Sequence, residues 1–358
     1  MSWRRTRAIL RKEILHIVRD PRSLAMALAF PFLLLLLFSY ALSLDVDRIP
    51  TLVFDQDRSP ESRSLVADFQ GSPYFTIAGA ASSYAAVERS FDRGETYLAL
   101  VIPPGFGRVQ ILVDGSDSNT ASIAQNYAAT VVSTWAARRA RRPVPVEPRV
   151  RVWYNSAMKS RNFIVPGLVA VILQIIAALL TSLTVAREWE SGAMEQLLST
   201  PLRPAELILG KLGAFYLLGA ADAVIATLAA VFLFGVPFRG EVWFLAFATA
   251  IFLFGALSWG LFISSIASTQ VLAFQMGLLS SFLPAFLLSG FIYAVENMPA
   301  PIQAVSTIVP AKYFVAVLKS VFLKGLGFQT LWREVLLLAV YAAAVALLAV
   351  RRLPTKVA

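Results

Sequence analysis

Six largely apolar runs of about twenty residues constrain the fold of this chain more than any other feature. The hydrocarbon core of a bilayer, about 30 Å thick, is crossed by about 20 helical residues, so runs of this length predict transmembrane helices. Hydrophobic residues make up 57% of the chain and charged residues 15%, which is more apolar sequence than a water-soluble core needs. The predicted spans are residues 23–44, 163–186, 212–234, 242–266, 271–293 and 331–350.

Positive charge is unevenly distributed between the segments that connect these spans. Seven Lys and Arg residues precede the first span, three lie in residues 187–211 and three follow residue 350. The short segments predicted on the other side hold four in all. Because short loops rich in Lys and Arg stay in the cytoplasm, this bias predicts that both termini are cytoplasmic.

The two ends of the chain extend the predicted membrane topology. Residues 1–22 predict an amphipathic helix on the cytoplasmic surface, with Trp3, Leu10, Ile14 and Ile17 at helical spacing. No small-residue cleavage site is evident before Asp45, so residues 23–44 are expected to remain as an anchor. Residues 351–358 are expected to form a short cytoplasmic tail.

Residues 45–162 are long and polar enough to form a soluble domain. Ser59-Pro60 predicts the start of one helix, Gly94 the end of a second, and Asp117 the cap of a third. The predicted fold class is therefore an α-helical membrane protein with six transmembrane helices and an inserted extracytoplasmic α/β domain. Predicted strands alternate with these helices at residues 51–54, 97–102, 110–113 and 149–154.

Several kinds of chemistry are not expected of this chain. It has no Cys and one His, His16, which argues against disulfides and histidine-built metal sites. Gly210-Lys211 is followed by Leu212 and has no Gly five residues before it, so it is not a nucleotide-binding loop. No H-E-x-x-H or G-x-S-x-G pattern occurs. The net charge of +10 gathers beside the apolar runs, which favours membrane orientation over nucleic-acid binding. We expect neither an enzyme nor a bound cofactor.

The order of helix-forming and helix-breaking residues in the polar segment 187–211 indicates secondary structure and not an irregular loop. Residues 194–198 can form a short helix, Thr200-Pro201 can break it, and Pro204 can start the next helix. Such a helix could receive force from a cytoplasmic motor. On composition alone, an ordinary interfacial loop fits equally well.

A few polar residues and chain breakers fall inside or beside the spans. Asp222 lies near the middle of a span, where it could form a structural hydrogen bond or dimer contact, or handle substrate or protons. The glutamines are expected to bond neighbouring helices. Residues 289–310 could form either a re-entrant segment or a surface loop with one amphipathic helix. The candidates for the translocation path or gate are Gln174, Asp222, Gln275, Ser289, Gly290, Met298, Pro299 and Pro310, with Gln270 a weaker case.

The segment 187–211 resembles the signature of ABC-2 type permeases, R-E-x-x-G-T-x-E-Q-L-x-x-T-P followed by E and G-K. Ala193 departs from it, since Thr is usual there. Further stretches, KEILHIVRDPRSL, VDGSDSNTA, VWYNSAMKSRNFIVPG and LLSGFIYAVENMP with VPAKYF, are similar to drug-exporter-like members with a large external domain. The matching signature positions are Arg187, Glu188, Gly192, Glu195, Gln196, Leu197, Thr200, Pro201, Glu206, Gly210 and Lys211.

This resemblance implies a permease in a bacterial inner membrane that works as a homodimer or heterodimer. Two P-loop ATPase subunits, which hold the ATP and Mg, would couple to it through residues 187–211. Residues 294–312 would form an external re-entrant segment that caps the exit. The substrate would be amphipathic or hydrophobic, drug-like or lipid-like, and a periplasmic adaptor and membrane lipid are further expected partners. Two alternatives stay open: a non-transporting scaffold or receptor, and a sodium-type ion extruder that would depend on Asp222.

Overall fold

The structure is a computed structural model that describes residues 2–41, 48–105, 108–115, 118–139, 159–200 and 202–352. It forms two compact units, one made of Met1–Ser43 with Val152–Ala358 and the other of Leu44–Arg151. The strands are β1 (Ile49–Asp55), β2 (Phe75–Ala80), β3 (Leu98–Ile102) and β4 (Gln110–Val113). The helices are α1 (Trp3–Arg19), α2 (Pro21–Ala41), α3 (Pro60–Gly71), α4 (Tyr84–Asp92), α5 (Ser118–Arg139), α6 (Ser160–Glu190), α7 (Ala193–Leu198), α8 (Pro204–Leu228), α9 (Val242–Ile266), α10 (Gln270–Leu287), α11 (Ala300–Ser306), α12 (Pro310–Lys319) and α13 (Phe328–Arg352).

The described residues contain five helices long and apolar enough to cross a membrane. They are α6, α8 with its continuation to Leu233, α9, α10 and α13. The first predicted span, residues 23–44, falls on α2, whose apolar part Ala27–Ala41 is shorter. A sixth candidate arises if α11 and Pro310–Lys324 count as one span, although they meet at 83°. The expected helical membrane architecture is thus confirmed at the level of five to six candidate spans.

The helix α6 lies at the centre of the helical unit, with 83% of its most apolar stretch buried. Small residues let α9 approach it closely: a Cβ on Gly260 would lie 2.1 Å from the Ala178 carbonyl oxygen. The Thr181 hydroxyl donates to the Leu257 carbonyl at 2.8 Å, and Ser264 Oγ accepts from the backbone N–H of Val185 at 2.9 Å. Small residues and interhelical hydrogen bonds hold helices together where the hydrophobic effect cannot.

The second unit is built on a four-stranded sheet in the order β2-β1-β3-β4. β1 pairs in parallel with β2 and β3, and β4 runs antiparallel to β3. Helices α3 and α5 pack together, and Leu65, Phe69, Leu98 and Leu100 are fully buried in the core of this unit. Because parallel strands require crossover connections, helices alternate with the strands.

The elements of this unit can be compared with those expected from the sequence. β1, β3 and β4 overlap three of the predicted strands, and Ser59 Oγ caps α3 by accepting from the Ser62 N–H at 3.1 Å. Gly94 follows α4 with a φ of +66°. β2 was not predicted. The predicted strand at residues 149–154 and the predicted cap Asp117 lie outside the described residues.

Candidate functional site

The signature segment folds as a tight elbow between α6 and α8. Gly192 adopts a φ of +72°, a left-handed conformation that side chains with a Cβ disfavour, and it turns the chain from the end of α6 into α7. α8 begins at Pro204, which suits the first helical turn because its nitrogen has no hydrogen to donate. The backbone N–H of Arg203 donates to Glu206 Oε2 at 3.1 Å, and this hydrogen bond caps the N-terminus of α8. The predicted short helix and the predicted start at Pro204 are both present.

One group of the signature residues is accessible. Arg187, Gly192, Glu195, Gln196 and Thr200 are exposed, whereas Leu197 is partly buried against the helical core. Met194 of α7 is fully buried and anchors the short helix. The elbow therefore presents a polar outer face while it remains fixed to the bundle. Pro201 lies outside the described residues.

A second group of signature residues faces α1 instead of solvent. A Cβ on Gly210 would lie 2.7 Å from the Cβ of Ile9 and 3.1 Å from the Thr6 carbonyl oxygen, so only glycine permits this approach. Glu206 is 1% exposed, and its Oε1 accepts from the backbone N–H of Ser2 at 2.5 Å. The predicted coupling residues Glu206 and Gly210 therefore hold the N-terminal helix and offer no free surface to a partner.

Four charged groups form a cluster where α1, α6 and α8 meet. Lys211 is 2% exposed, and its Nζ lies 3.1 Å from Glu13 Oε1 and 2.9 Å from Glu188 Oε1. Lys12 Nζ lies 3.0 Å from the same oxygen of Glu188 and 3.4 Å from that of Glu13. Two ammonium groups thus neutralise two carboxylates. We name this set, Lys12, Glu13, Glu188 and Lys211, the charge cluster.

The protonation of the charge cluster follows from its geometry. Burial raises the pKa of Glu13, but the ammonium groups of Lys211 and Lys12 outweigh burial and hold that pKa below its ordinary value. Burial lowers the pKa of Lys12, yet Glu188 and Glu13 more than compensate and raise it. Glu13 and Lys12 are therefore both ionised at neutral pH. Sequence reasoning did not identify Glu13, because a carboxylate on a surface helix ordinarily faces water.

A shallow concave surface adjoins the elbow. It has a volume of about 410 Å³ and is lined by Trp189, Glu190, Ala267 and Ser268. Glu190 ties it to the start of α10, since Glu190 Oε1 accepts from the Gln270 backbone N–H at 2.8 Å and Glu190 Oε2 from the Gln270 amide at 2.5 Å. The end of α6 is thereby fixed to the turn between α9 and α10.

The candidate path residues do not converge on one site. Gln174 and Pro310 line one cavity within the helical unit, with a volume of about 240 Å³, and its described lining includes neither Asp222 nor Gln275. Asp222 is 1% exposed, and neither of its carboxylate oxygens has a hydrogen-bond partner in the described part of the chain. Gln275 is exposed on α10.

The remaining path candidates lie near the break that follows α10. Gly290 has a φ of +76°, and its carbonyl oxygen accepts from Lys319 Nζ at 2.9 Å. That ammonium also lies 3.4 Å from the ring centroid of Phe163. These two contacts of Lys319 were not predicted from the sequence. Ser289 is buried, Met298 is half-buried, and Pro299, just before α11, is exposed. The predicted re-entrant segment, residues 294–312, covers α11 and the start of α12.

The chain is similar in sequence to several proteins named as permeases. The chain is 38% identical over 341 residues to "Probable multidrug ABC transporter permease YbhS" of Escherichia coli, which covers 91% of this chain and 90% of that protein. It is 30% identical over 338 residues to "Probable multidrug ABC transporter permease YbhR", covering 91% and 92%. It is 27% identical over 311 residues to "Inner membrane transport permease YhhJ" of the same organism, covering 81% and 80%.

The family model for ABC-2 family transporter proteins matches residues 21–351. This range includes the elbow and all the helices from α2 to α12, together with nearly all of α13. The chain therefore belongs to the ABC-2 transporter family.

Proposed function

We propose that this chain is the membrane-spanning permease subunit of an ATP-driven exporter and that a separate P-loop ATPase docks on residues 187–211. The geometry of the elbow is the observation that supports this proposal. α7 joins α6 through Gly192 and joins α8 through residues 199–203, and Met194 fixes it to the core. A helix held this closely cannot move without moving the two candidate spans on either side of it.

The docking surface in this proposal is the exposed side of the elbow. Arg187, Glu195 and Gln196 offer both signs of charge and an amide, which suits the polar rim of a protein interface. The concave surface beside Trp189 would accept a projecting part of the ATPase. Glu188, Glu206, Gly210 and Lys211 act indirectly, because they bind α1 and make it part of the same rigid body.

The reaction chemistry belongs to the partner in this account. We assign ATP and Mg to the ATPase subunit, because the sequence has no nucleotide-binding loop. The permease performs no bond chemistry and converts a push on the elbow into a movement of the spans. Binding of the ATPase must then favour one arrangement of the spans over another, since only differential affinity shifts a conformational equilibrium.

The proposed assembly is a dimer of permeases, homodimeric or heterodimeric, in a bacterial inner membrane with both termini in the cytoplasm. The bias of Lys and Arg supports this orientation. A relative named as an inner membrane transport permease supports the location. The domain predicted at residues 45–162 would then lie outside the cytoplasm, where it could contact substrate or a periplasmic adaptor.

We propose amphipathic or hydrophobic molecules, drug-like or lipid-like, as the exported class. Two relatives at 38% and 30% identity are named as multidrug ABC transporter permeases, which supports this class. A scaffold or receptor without a motor would have no need for a polar helix held firmly between two spans.

Replacing Glu195 by Ala tests the elbow. In inside-out vesicles that contain the co-expressed ATPase, we expect ATP-driven transport of a fluorescent amphipathic amine to fall about fivefold or more, because site-to-site coupling is typically worth 1–3 kcal/mol. ATP hydrolysis should continue. Glu88→Ala, at another exposed carboxylate, is the matched control and should transport normally. Gly192→Val should also reduce transport, because valine disfavours the left-handed backbone at this position. Full transport by both of these single variants would contradict the proposed role of the elbow.

A further inference from the structure

The helix α1 crosses the end of the helical unit at which three other helices begin or end. Glu188, near the end of α6, and Lys211, near the start of α8, are both held by ion pairs to α1. Only Asp20 separates α1 from the start of α2. The apolar stretches 163–186 and 212–234 end and begin within two residues of Glu188 and Lys211. α1 therefore lies at the level where these candidate spans leave the hydrocarbon core.

The cations of α1 divide into a paired group and an unpaired group. Lys12, beside the bundle, is paired with Glu188 at 3.0 Å. Arg4, Arg7 and Arg11 are exposed, and none of the three forms an ion pair within the described part of the chain. Their spacing of three and four residues places them on one side of the helix. We name these three residues the arginine row.

No exposed carboxylate of α1 balances the arginine row. The one acidic residue between Trp3 and Arg19 is Glu13, which is 6% exposed and belongs to the charge cluster. The row thus presents three positive charges that the fold of α1 itself leaves without a counter-charge. A partner that lies against this side of the helix must be anionic.

Exposed apolar side chains share the side of α1 that carries the row. Trp3 precedes Arg7 by four residues and is 73% exposed, and Val18 follows Arg11 by seven residues and is 60% exposed. A basic face bordered by large apolar side chains is typical of a helix that lies in the headgroup region of a membrane. A nucleic acid would match the charge but would offer no hydrocarbon to Trp3 and Val18.

We propose that the arginine row binds the phosphodiester groups of anionic phospholipids in the leaflet that borders α1. Arginine suits a phosphate because its guanidinium donates two parallel hydrogen bonds and stays charged at all relevant pH values. A zwitterionic lipid is bound less strongly, because its own ammonium group offsets the charge of its phosphate. Each basic residue near an anionic surface strengthens binding about fivefold, so the whole row contributes about a hundredfold.

Lipid bound at the arginine row also bears on the elbow. α1 packs against Gly210 and is tied to Glu188 and Lys211, which flank the elbow on its two sides. An anionic lipid that holds α1 at the membrane surface therefore restrains the two helices that the ATPase is proposed to move. In this respect the inference rests on the proposed function and adds a lipid partner to it.

Lipid quenching at a single position tests the proposal, because the natural chain has no Cys. Ala8 is exposed, four residues after Arg4 and three before Arg11, so Ala8→Cys places a thiol beside the arginine row. The thiol carries a fluorophore that is quenched by bromine on neighbouring acyl chains. The full-length variant is placed, without the ATPase, in nanodiscs of mixed phosphatidylglycerol and phosphatidylcholine. Two preparations have the same composition and differ only in which of the two lipids is brominated.

The quenching measures which lipid lies next to the row. We expect phosphatidylglycerol to associate with this position about fivefold more strongly than phosphatidylcholine, or more, since one arginine alone would give that preference. Gln in place of all three arginines has nearly the same helix propensity and should remove the preference. Lys at the same three positions keeps the charge and should retain it. The matched control, Arg63→Gln with Arg89→Gln and Arg93→Gln, removes as much charge from exposed positions of the second unit and should leave the preference unchanged.

Four outcomes would overturn the proposal. Equal quenching by both lipids would mean that no anionic headgroup is recognised. A preference that survives the Gln variant would place the lipid elsewhere, and loss of the preference in the Lys variant would mean that positive charge is not what binds it. Loss of the preference in millimolar inorganic phosphate or oligonucleotide, at constant ionic strength, would make the row a site for a soluble anion. Because the assay needs neither ATP nor the ATPase, each result leaves the export function to its own test.

Discussion

Lys211 has almost no contact with solvent, and its ammonium group lies between the carboxylates of Glu13 and Glu188. Removing one member of a buried ion pair is far more costly than removing the whole pair, because the remaining charge stays buried without compensation. With Lys12 included, the charge cluster is neutral. The packing of the three helices therefore depends on equal numbers of positive and negative groups in the cluster, and not on any single contact.

This balance predicts the effect of Lys211→Met. The substitution leaves two carboxylates with Lys12 as the only close cation among the described residues, so we expect the free energy of unfolding to fall by about 3 kcal/mol. The melting temperature of the purified protein in detergent measures the change. Lys324→Met removes an exposed lysine and should alter the melting temperature little.

A double variant separates charge balance from packing. Glu13→Gln combined with Lys211→Met leaves one carboxylate facing one ammonium and should recover part of the lost stability. A double variant no more stable than Lys211→Met alone would show that charge balance does not explain the cluster.

Asp222 presents the opposite situation, a buried carboxyl group without a partner among the described residues. An ionised carboxylate at the centre of a membrane helix costs about 3 kcal/mol, and the uncharged Asn side chain, which has nearly the same shape as Asp, avoids that cost. We therefore expect Asp222→Asn to keep at least about half of the export rate in vesicles, within the usual effect of a tolerated substitution. Loss of transport, together with a loss of dependence on a sodium or proton gradient, would instead favour the ion-extruder alternative.

At the scale of elements, α1 is a structural member of the bundle as well as a surface helix. Thr6, Ile9 and Glu13 form its buried face. Trp3, which the sequence places on the lipid-facing stripe, is 73% exposed. One side of α1 thus packs on α8 while another is free to contact lipid. A periodicity of apolar residues can predict the second side, but it cannot predict a face that contains a carboxylate.

The shifted pKa of Glu13 predicts how α1 responds to pH. A carboxyl group whose pKa is lower in the folded state stabilises that state above its unfolded pKa, and this contribution is lost as the pH falls through the folded value. The docking of α1 should therefore weaken as the pH falls below the ordinary carboxyl value of 4.5. Hydrogen exchange of α1 amides, corrected for intrinsic rates, measures this loss. Glu13→Gln should lack the transition, and an identical transition in that variant would contradict the assignment.

The elements that local physics determines could be predicted from the sequence. Apolar length is enough to locate α6 and α9, and the missing N–H of Pro204 is enough to locate the start of α8. The predicted span of residues 271–293 extends past the end of α10 at Leu287, because residues 288–293 are as apolar as the helix before them. β2 was missed because Gly79 and two alanines, at positions 78 and 80, weaken its strand signal.

At the scale of the whole molecule, long-range contacts account for what the sequence could not show. The signature residues divide into an exposed group on the elbow and a buried group around α1, and no spacing rule separates the two. Glu13 and Lys211 are far apart in the chain, as are Gln174 and Pro310. Only the packing of the helical unit brings each pair to one site.

The central claim is that a separate ATPase pushes on the exposed face of the elbow. Because the chain has no Cys, Gln196→Cys provides a single thiol there, and Tyr293→Cys provides a matched exposed thiol beyond the far end of α10. Both are treated with a short bifunctional maleimide in membranes that contain the ATPase with an engineered surface cysteine. We predict that Gln196→Cys cross-links to the ATPase and Tyr293→Cys does not. Cross-linking from Tyr293→Cys alone would place the ATPase at the opposite end and contradict the account.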